Sequence, residues 1–169
     1  MEYRLLTLWK LAAPRQRVYD TIRDSLDWPS WWPGSEQVEE LDPGDAEGIG
    51  SLRRYVWKGR LPYTLTFVAR ATRIEDPCLL AADVEGDLSG CGRWTFLQDK
   101  GVTTVRYEWQ VRTTKAWMNA VAPLTKSIFA NNHHAMMRSG GEGLARRLDA
   151  HLVETYFGEL PAADKWETY

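Results

Sequence analysis

The chain has little of what most dedicated chemistries require. Its 169 residues include two cysteines and three histidines. Cys78 and Cys91 are too few for a disulfide framework and suggest a reducing compartment. A hairpin alignment sets Cys91 opposite Gly86 rather than Cys78, so both are expected as free thiols. No C-x-x-C, H-E-x-x-H or carboxylate cluster occurs, and no metal site is expected. G-x-S-x-G and G-x-x-x-x-G-K are also absent, which leaves neither a nucleophile elbow nor a phosphate loop. No sign of charge dominates: 21 Lys+Arg stand against 23 Asp+Glu, a net charge of −2. A nucleic-acid binder would carry a basic face. No apolar run is long enough to span a membrane. The opening MEYRLLTLWKLAAP carries Glu2, Arg4 and Lys10 and does not read as a signal peptide. The expectation is a cytoplasmic protein with no cofactor, no nucleic-acid partner and no membrane insertion, either a monomer or a homodimer.

What the chain has in excess is tryptophan, nine residues, which implies large aromatic walls inside one ordinary domain. Three of them, Trp28, Trp31 and Trp32, fall in DWPSWWPGS, where Pro29 and Pro33 prevent a long helix. They read as a plug at a cavity mouth or a small core of their own, or else as a dimer contact.

Period-two alternation marks a strand over 3–12, with Tyr3, Leu5, Thr7, Trp9 and Leu11 on one face. Pro14 suits the start of a helix whose stripe is Val18, Ile22 and Leu26, with Tyr19 beside them. Short strands follow: Glu36 to Leu41, Ser51 to Trp57, Leu61 to Ile74, Leu79 to Glu85, Arg93 to Leu97 and Val102 to Thr113. DPGDAEGIG, KGR, Asp76-Pro77, GDLSGCG and QDKG separate them. Strands joined this closely are antiparallel neighbours with one covered face. The cover is a helix from Lys115 to about Leu152, with Pro123 kinking it or opening its main part. Its stripe is Phe129, His133, Met136, Met137, Gly140, Leu144 and Leu148. Gly140, Gly141 and Gly143 each cost a helix about 1 kcal/mol against Ala. They mean either close approach of the helix to a ring or a break at SGGEG. GELPAADKWETY lacks periodicity, so the reading is a single domain over 1–153 and a loose tail over 154–169.

The order of pieces is specific: Ala13-Pro14 with Val18, DWPSWWPG, GIGSLRRYVWKGRLPY, GDLSGCGRWTF, TTVRYEWQVRTTKAWMNAVAP and FANNHHAMMRSGGEGL. It resembles the START-like helix-grip superfamily (SRPBCC), in particular its polyketide cyclase/dehydrase and lipid-transport branch. The resemblance implies an α+β fold in which a curved antiparallel β-sheet wraps around a long C-terminal α-helix, with an elongated cavity between them. It also implies a small hydrophobic ligand: a lipid, sterol, polyketide or similar apolar molecule. Some members of the superfamily are cyclases or aromatases, and many only bind or transfer. Asn132-His133, Met137 and Gly140 match a pattern of the branch's helix; His134 and Ala135 depart from what often follows it.

The candidate ligand-binding residues are Arg54, Tyr63, Phe67, Trp94, Tyr107, Trp109, Phe129, Asn132, His133 and Met136. Aromatic walls with polar tips suit a flat or extended apolar molecule, although any one of these rings also suits a core. Either Arg53 or Arg54 faces the cavity, since Leu52/Arg54/Val56 and Arg53/Tyr55/Trp57 are both plausible inward sets. His133 is the candidate catalytic residue. In a cyclase or dehydrase it or a Tyr would move a proton while Arg54 stabilised an enolate; otherwise it is a buried neutral histidine.

Overall fold

The computed structural model describes residues 2–59, 63–114 and 122–161, with side chains from 127 onward in the last segment. β1 (Glu2–Leu11) alternates as its sequence does, burying Tyr3, Leu5, Thr7, Trp9 and Leu11. Pro14 is extended and caps α1 (Arg15–Arg23) rather than opening it. Asp24 leaves the helical conformation, at ψ 66, and ends α1 after Val18, Tyr19 and Ile22 have been buried. Leu26, expected on that stripe, falls in the following 3-10 turn (Ser25–Asp27) and is 43% exposed. α2 is a single helical turn (Trp28–Trp31) with proline in its first turn, where no N–H is needed.

Among the described residues, seven strands follow β1. They are β2 (Ser35–Asp42), β3 (Leu52–Lys58), β4 (Thr64–Glu75), β5 (Leu79–Gly86), β6 (Leu88–Asp99), β7 (Val102–Thr113) and β8 (Leu152–Glu159). The sheet order is β2-β3-β4-β5-β6-β7-β1-β8, and the strands of every pair with a described register run antiparallel. A meander therefore runs from β2 to β7, and β1 closes against it. The long helix α3 (Ala122–Leu148) lies on the concave face. This is the α+β helix-grip architecture. The expected helical start at Lys115 and the expected strand start at Leu61 lie outside the described residues.

The sheet differs from the sequence reading at three places. GDLSGCG is not one long turn: β6 begins at Leu88, and Cys91 pairs with Asp83 rather than Gly86. The reason is Gly92, where an added Cβ would lie 2.9 Å from the Trp109 ring. That glycine marks a close approach inside a strand rather than a turn. Residues 154–159 are not a loose tail but most of β8, which pairs with β1 through Thr7↔Phe157 and Lys10↔Glu154. An edge strand with no fully buried side chain shows little alternation, because alternation records burial of one face. Glu108, expected at the solvent face, is 3% exposed beneath Arg93 and Arg106. Both cysteines are free. No helix among the described residues is long and apolar enough to cross a membrane.

The segment from Trp28 to Trp32 forms the centre of the core. Trp28, Trp31 and Trp32 are 8%, 8% and 3% exposed, so these rings are not an exposed dimer contact. Trp28 meets Trp32, Tyr55 and Trp57 at centroid distances of 4.9, 5.6 and 6.0 Å. Such pairs contribute about 0.5–1.5 kcal/mol each beyond their buried area. α3 runs unbroken through Gly140, Gly141 and Gly143. A Cβ at Gly140 would strike the Trp32 ring, one at Gly143 the Trp31 carbonyl, and one at Gly141 would lie 3.0 Å from Trp9 Nε1. The helix backbone is therefore pressed against tryptophan. Trp32 Nε1 donates to the Met136 carbonyl at 2.9 Å and adds a directed bond to that contact. His151 lies beyond the helix end, in the loop to β8.

Gly→Ala inside a helix ordinarily stabilises by about 1 kcal/mol. At Gly143 the sign is expected to reverse, with a loss of about 1–3 kcal/mol from overpacking. Urea denaturation of Gly143→Ala against wild type checks this; a gain in stability would mean that α3 is not seated on Trp31.

Candidate functional site

Strand register builds a floor of small residues and walls of large ones. On β4 and β5, Ala71 faces Ala82, and Ala82 in turn faces Gly92 on β6. Ala69 lies one step along the same face, opposite Val84. Trp57, Tyr55 and Phe67 rise on one side of this floor, and Trp94, Tyr107 and Trp109 rise on the other. The segment from Ile22 to Trp32 and α3 roof it. The space left is a cavity of about 240 Å³.

Eight of the sequence candidates line it: Phe67, Trp94, Tyr107, Trp109, Phe129, Asn132, His133 and Met136. Two do not. Arg54 is turned to the outer side of β3, where it pairs with Glu39 at 2.9 Å. Arg53 takes the inward place, together with Tyr55 and Trp57. Tyr63 packs against the core but is not part of the cavity wall. Ser25, Tyr55, Trp57 and the alanine floor lay outside the sequence candidates. For β3 the sequence had left two inward sets open, and small residues carry no signal of space above them.

The aromatic wall is ordered. Tyr107 stacks on Trp94 with centroids 3.8 Å apart and planes 20° apart, and on Trp109 at 5.7 Å. His133 lies parallel to Tyr107 at 6.5 Å and 16°. Burial, with neighbouring His134, lowers the His133 pKa to about 3, so its imidazole is neutral at ordinary pH. Burial raises the Tyr107 phenol well above its usual pKa. His133 Nδ1 is buried with no hydrogen-bond partner among the described residues. Asn132 Nδ2 donates to Met136 Sδ at 3.5 Å.

A second polar group lies at the α1 end. Arg53 Nη1 donates to Ser25 Oγ at 2.9 Å and to the Arg23 carbonyl at 3.0 Å. Ser25 Oγ and the Tyr55 oxygen are 2.8 Å apart. Glu40 holds the outer edge of the Arg53 guanidinium at 3.2 Å. The charged residues among the described lining are Arg23, Arg53 and Arg73. Among the described residues no three His, Cys, Asp or Glu gather as a metal site. Burial raises the Cys91 thiol pKa, which disfavours a thiolate nucleophile.

The arrangement can hold a flat apolar body between stacked rings and offer hydrogen bonds at two places. Solved structures share its fold. The Zhui aromatase/cyclase from Streptomyces sp. R1128 is 15% identical, with a TM-score of 0.72 over 88% of this chain and 94% of that one. A START superfamily protein from Mycobacterium smegmatis is 11% identical, with a TM-score of 0.70 over 86% and 97%. The di-domain ARO/CYC BexL from the BE-7585A biosynthetic pathway is 16% identical, with a TM-score of 0.72 over 89% of this chain and 51% of that one. At these identities the likeness is one of fold. Among curated proteins no sequence matches. The sequence model described as "Polyketide cyclase / dehydrase and lipid transport" matches residues 10–149. With that match across most of its length, the chain belongs to the polyketide cyclase/dehydrase and lipid transport family.

Proposed function

We propose that this protein binds a small, flat, largely apolar molecule of aromatic or polyketide type in the cavity between sheet and α3. The observation that carries the reading is the contrast between the alanine floor and the stacked tryptophan and tyrosine walls. Ala69, Ala71 and Ala82 line the same cavity as Trp57, Trp94, Tyr107 and Trp109, and aromatic walls favour planar ligands. Family membership and the fold shared with aromatase/cyclases point the same way.

Native mass spectrometry of the purified protein, then extraction and mass analysis of what it releases, is expected to yield a stoichiometric apolar molecule. Ala82→Phe is expected to lose that molecule and to bind 2-acetonaphthone at least about tenfold more weakly, followed by tryptophan quenching. Its far-UV circular dichroism should match wild type, because overpacking at one site costs about 1–3 kcal/mol. Undiminished binding by Ala82→Phe would place the ligand elsewhere.

One observation favours a second reading, a cyclase or dehydrase. The neutral imidazole of His133 faces the same cavity as the protonated phenol of Tyr107. A neutral imidazole can take a proton from a carbon between two carbonyls once the enolate forming beside it offsets the cost of a buried imidazolium; the enolate attacks a ketone of the same chain, and the imidazolium returns its proton to the alkoxide that results. The protonation state is testable without a substrate. A histidine with a folded pKa of about 3 against an ordinary 6.5 takes up its proton in the unfolded chain first. Its stabilising contribution is thus present above about 6.5 and lost as pH falls toward about 3. Urea unfolding between pH 7 and pH 4 is expected to show wild type losing stability faster than His133→Phe. Equal slopes would mean that folded His133 protonates in the ordinary range.

A further inference from the structure

We propose that Tyr55 is the cavity's directed hydrogen-bond donor, presenting its phenolic proton to a carbonyl, enol or enolate oxygen of the bound molecule. In this proposal Ser25 and Arg53 are the positioning residues that fix where the proton points. The inference rests on the reading of the cavity as a ligand site and narrows its ligand. The molecule is not a plain hydrocarbon or an unfunctionalised ring system, but a flat apolar body with an oxygen acceptor at the α1 end.

The argument is a proton count. A guanidinium only donates. Arg53 Nη1 donates to Ser25 Oγ at 2.9 Å, so one lone pair of that hydroxyl is taken. Ser25 is 3% exposed, and its oxygen lies 2.8 Å from that of Tyr55. Either hydroxyl could donate in this pair. If Tyr55 donated, Ser25 Oγ would accept from two donors, the Ser25 proton would be the one left over, and neither bond would strengthen the other. If Ser25 donates to Tyr55, the bonds run one way from the guanidinium, each polarising the next, and the proton left over is the phenolic one, which takes its acceptor from the bound molecule. The Tyr55 oxygen is then an acceptor from Ser25, with the Arg53 guanidinium also close beside it. Both of these neighbours act as donors to it, so the acceptor for its own proton is sought in the cavity that Tyr55 lines.

Packing fixes where the Tyr55 oxygen and the Arg53 guanidinium lie. The Tyr55 ring stacks on Phe67 at 5.4 Å and 20° and leans on Trp28 at 5.6 Å. Arg53 cannot swing away, because its Nε and Nη2 face Glu40 while Nη1 holds the Arg23 carbonyl. A chain that begins at a cation polarises each link after it, so the last O–H is a better donor than an isolated phenol. Burial keeps the phenol protonated. The neighbouring indoles do not compete for the ligand: Trp28 Nε1 donates to the Ile22 carbonyl and Trp32 Nε1 to that of Met136.

The test compares 2-acetonaphthone, labelled with 13C at its carbonyl, with 2-ethylnaphthalene, which has nearly the same shape and no acceptor. Wild type is expected to bind the ketone about tenfold more tightly, the scale of one well-made hydrogen bond. The bound carbonyl resonance should lie downfield of its position in hexane. Tyr55→Phe is expected to bring the two affinities together and return the resonance toward the hexane value. Ser25→Ala should shrink the downfield displacement of the bound ketone, which a merely structural role would not do. Equal affinities in wild type with a hexane-like resonance, or a displacement that survives Tyr55→Phe, would overturn the inference and leave the apolar cavity standing. Binding of neither probe would overturn the cavity reading and this inference together.

Discussion

The fold depends on a contact that only glycine permits. α3 lies with its backbone against Trp9, Trp31 and Trp32, at positions where a Cβ would collide with a ring or a carbonyl. The contact fixes the height of the helix above the sheet and its rotation about its own axis. That rotation turns Phe129, Asn132, His133 and Met136 into the cavity and Leu144 and Leu148 into the solid core. Three glycines are an unfavourable choice in an isolated helix. Here they are compensated by large aromatic surfaces brought into van der Waals contact.

The cavity follows from a mismatch of side-chain sizes. Beyond Gly140, α3 meets rings at the glycine seam and leaves little space. Nearer its N-terminal half it stands over Ala69, Ala71 and Ala82, which are too short to reach it. The large residues that might have filled the gap are held back by one another: Tyr107 against Trp94, Tyr55 against Phe67, Trp28 against Trp32. Close-packed interiors leave few voids. A void bounded by mutually braced rings persists because no single side chain can collapse into it.

Polar groups are arranged so that the cavity wall stays largely uncharged without leaving buried charges unpaired. Glu108 is buried on the outer side of the sheet, where Arg93 and Arg106 neutralise it. Arg53 reaches inward, with Glu40 at its outer edge and Ser25 at its inner one. His133 gives up its proton rather than carry a charge between rings. The charged groups that remain in the described lining are three arginines, Arg23, Arg53 and Arg73, and the other polar groups there are neutral.

Strands whose two faces differ, and the helix that covers them, are legible in the order of residues alone. β1, β4 and β7 alternate plainly, and the stripe from Phe129 to Leu148 announced its partner. Most of the candidate cavity residues were legible for the same reason, since they stand on those strands and that stripe. The rest follows from contacts between segments distant in the chain. β8 alternates weakly because an edge strand buries little, so nothing in its pattern marked it as paired. Whether Arg53 or Arg54 faces inward depends on the register of β3 against β4, and a one-residue slip exchanges the two faces. The value of Ala82 as floor, of Gly92 as a seat for Trp109, and of Ser25 as the link between Arg53 and Tyr55 arises from contacts between residues far apart in the chain. Local periodicity records which face is buried; it does not record what lies on the other side of the space.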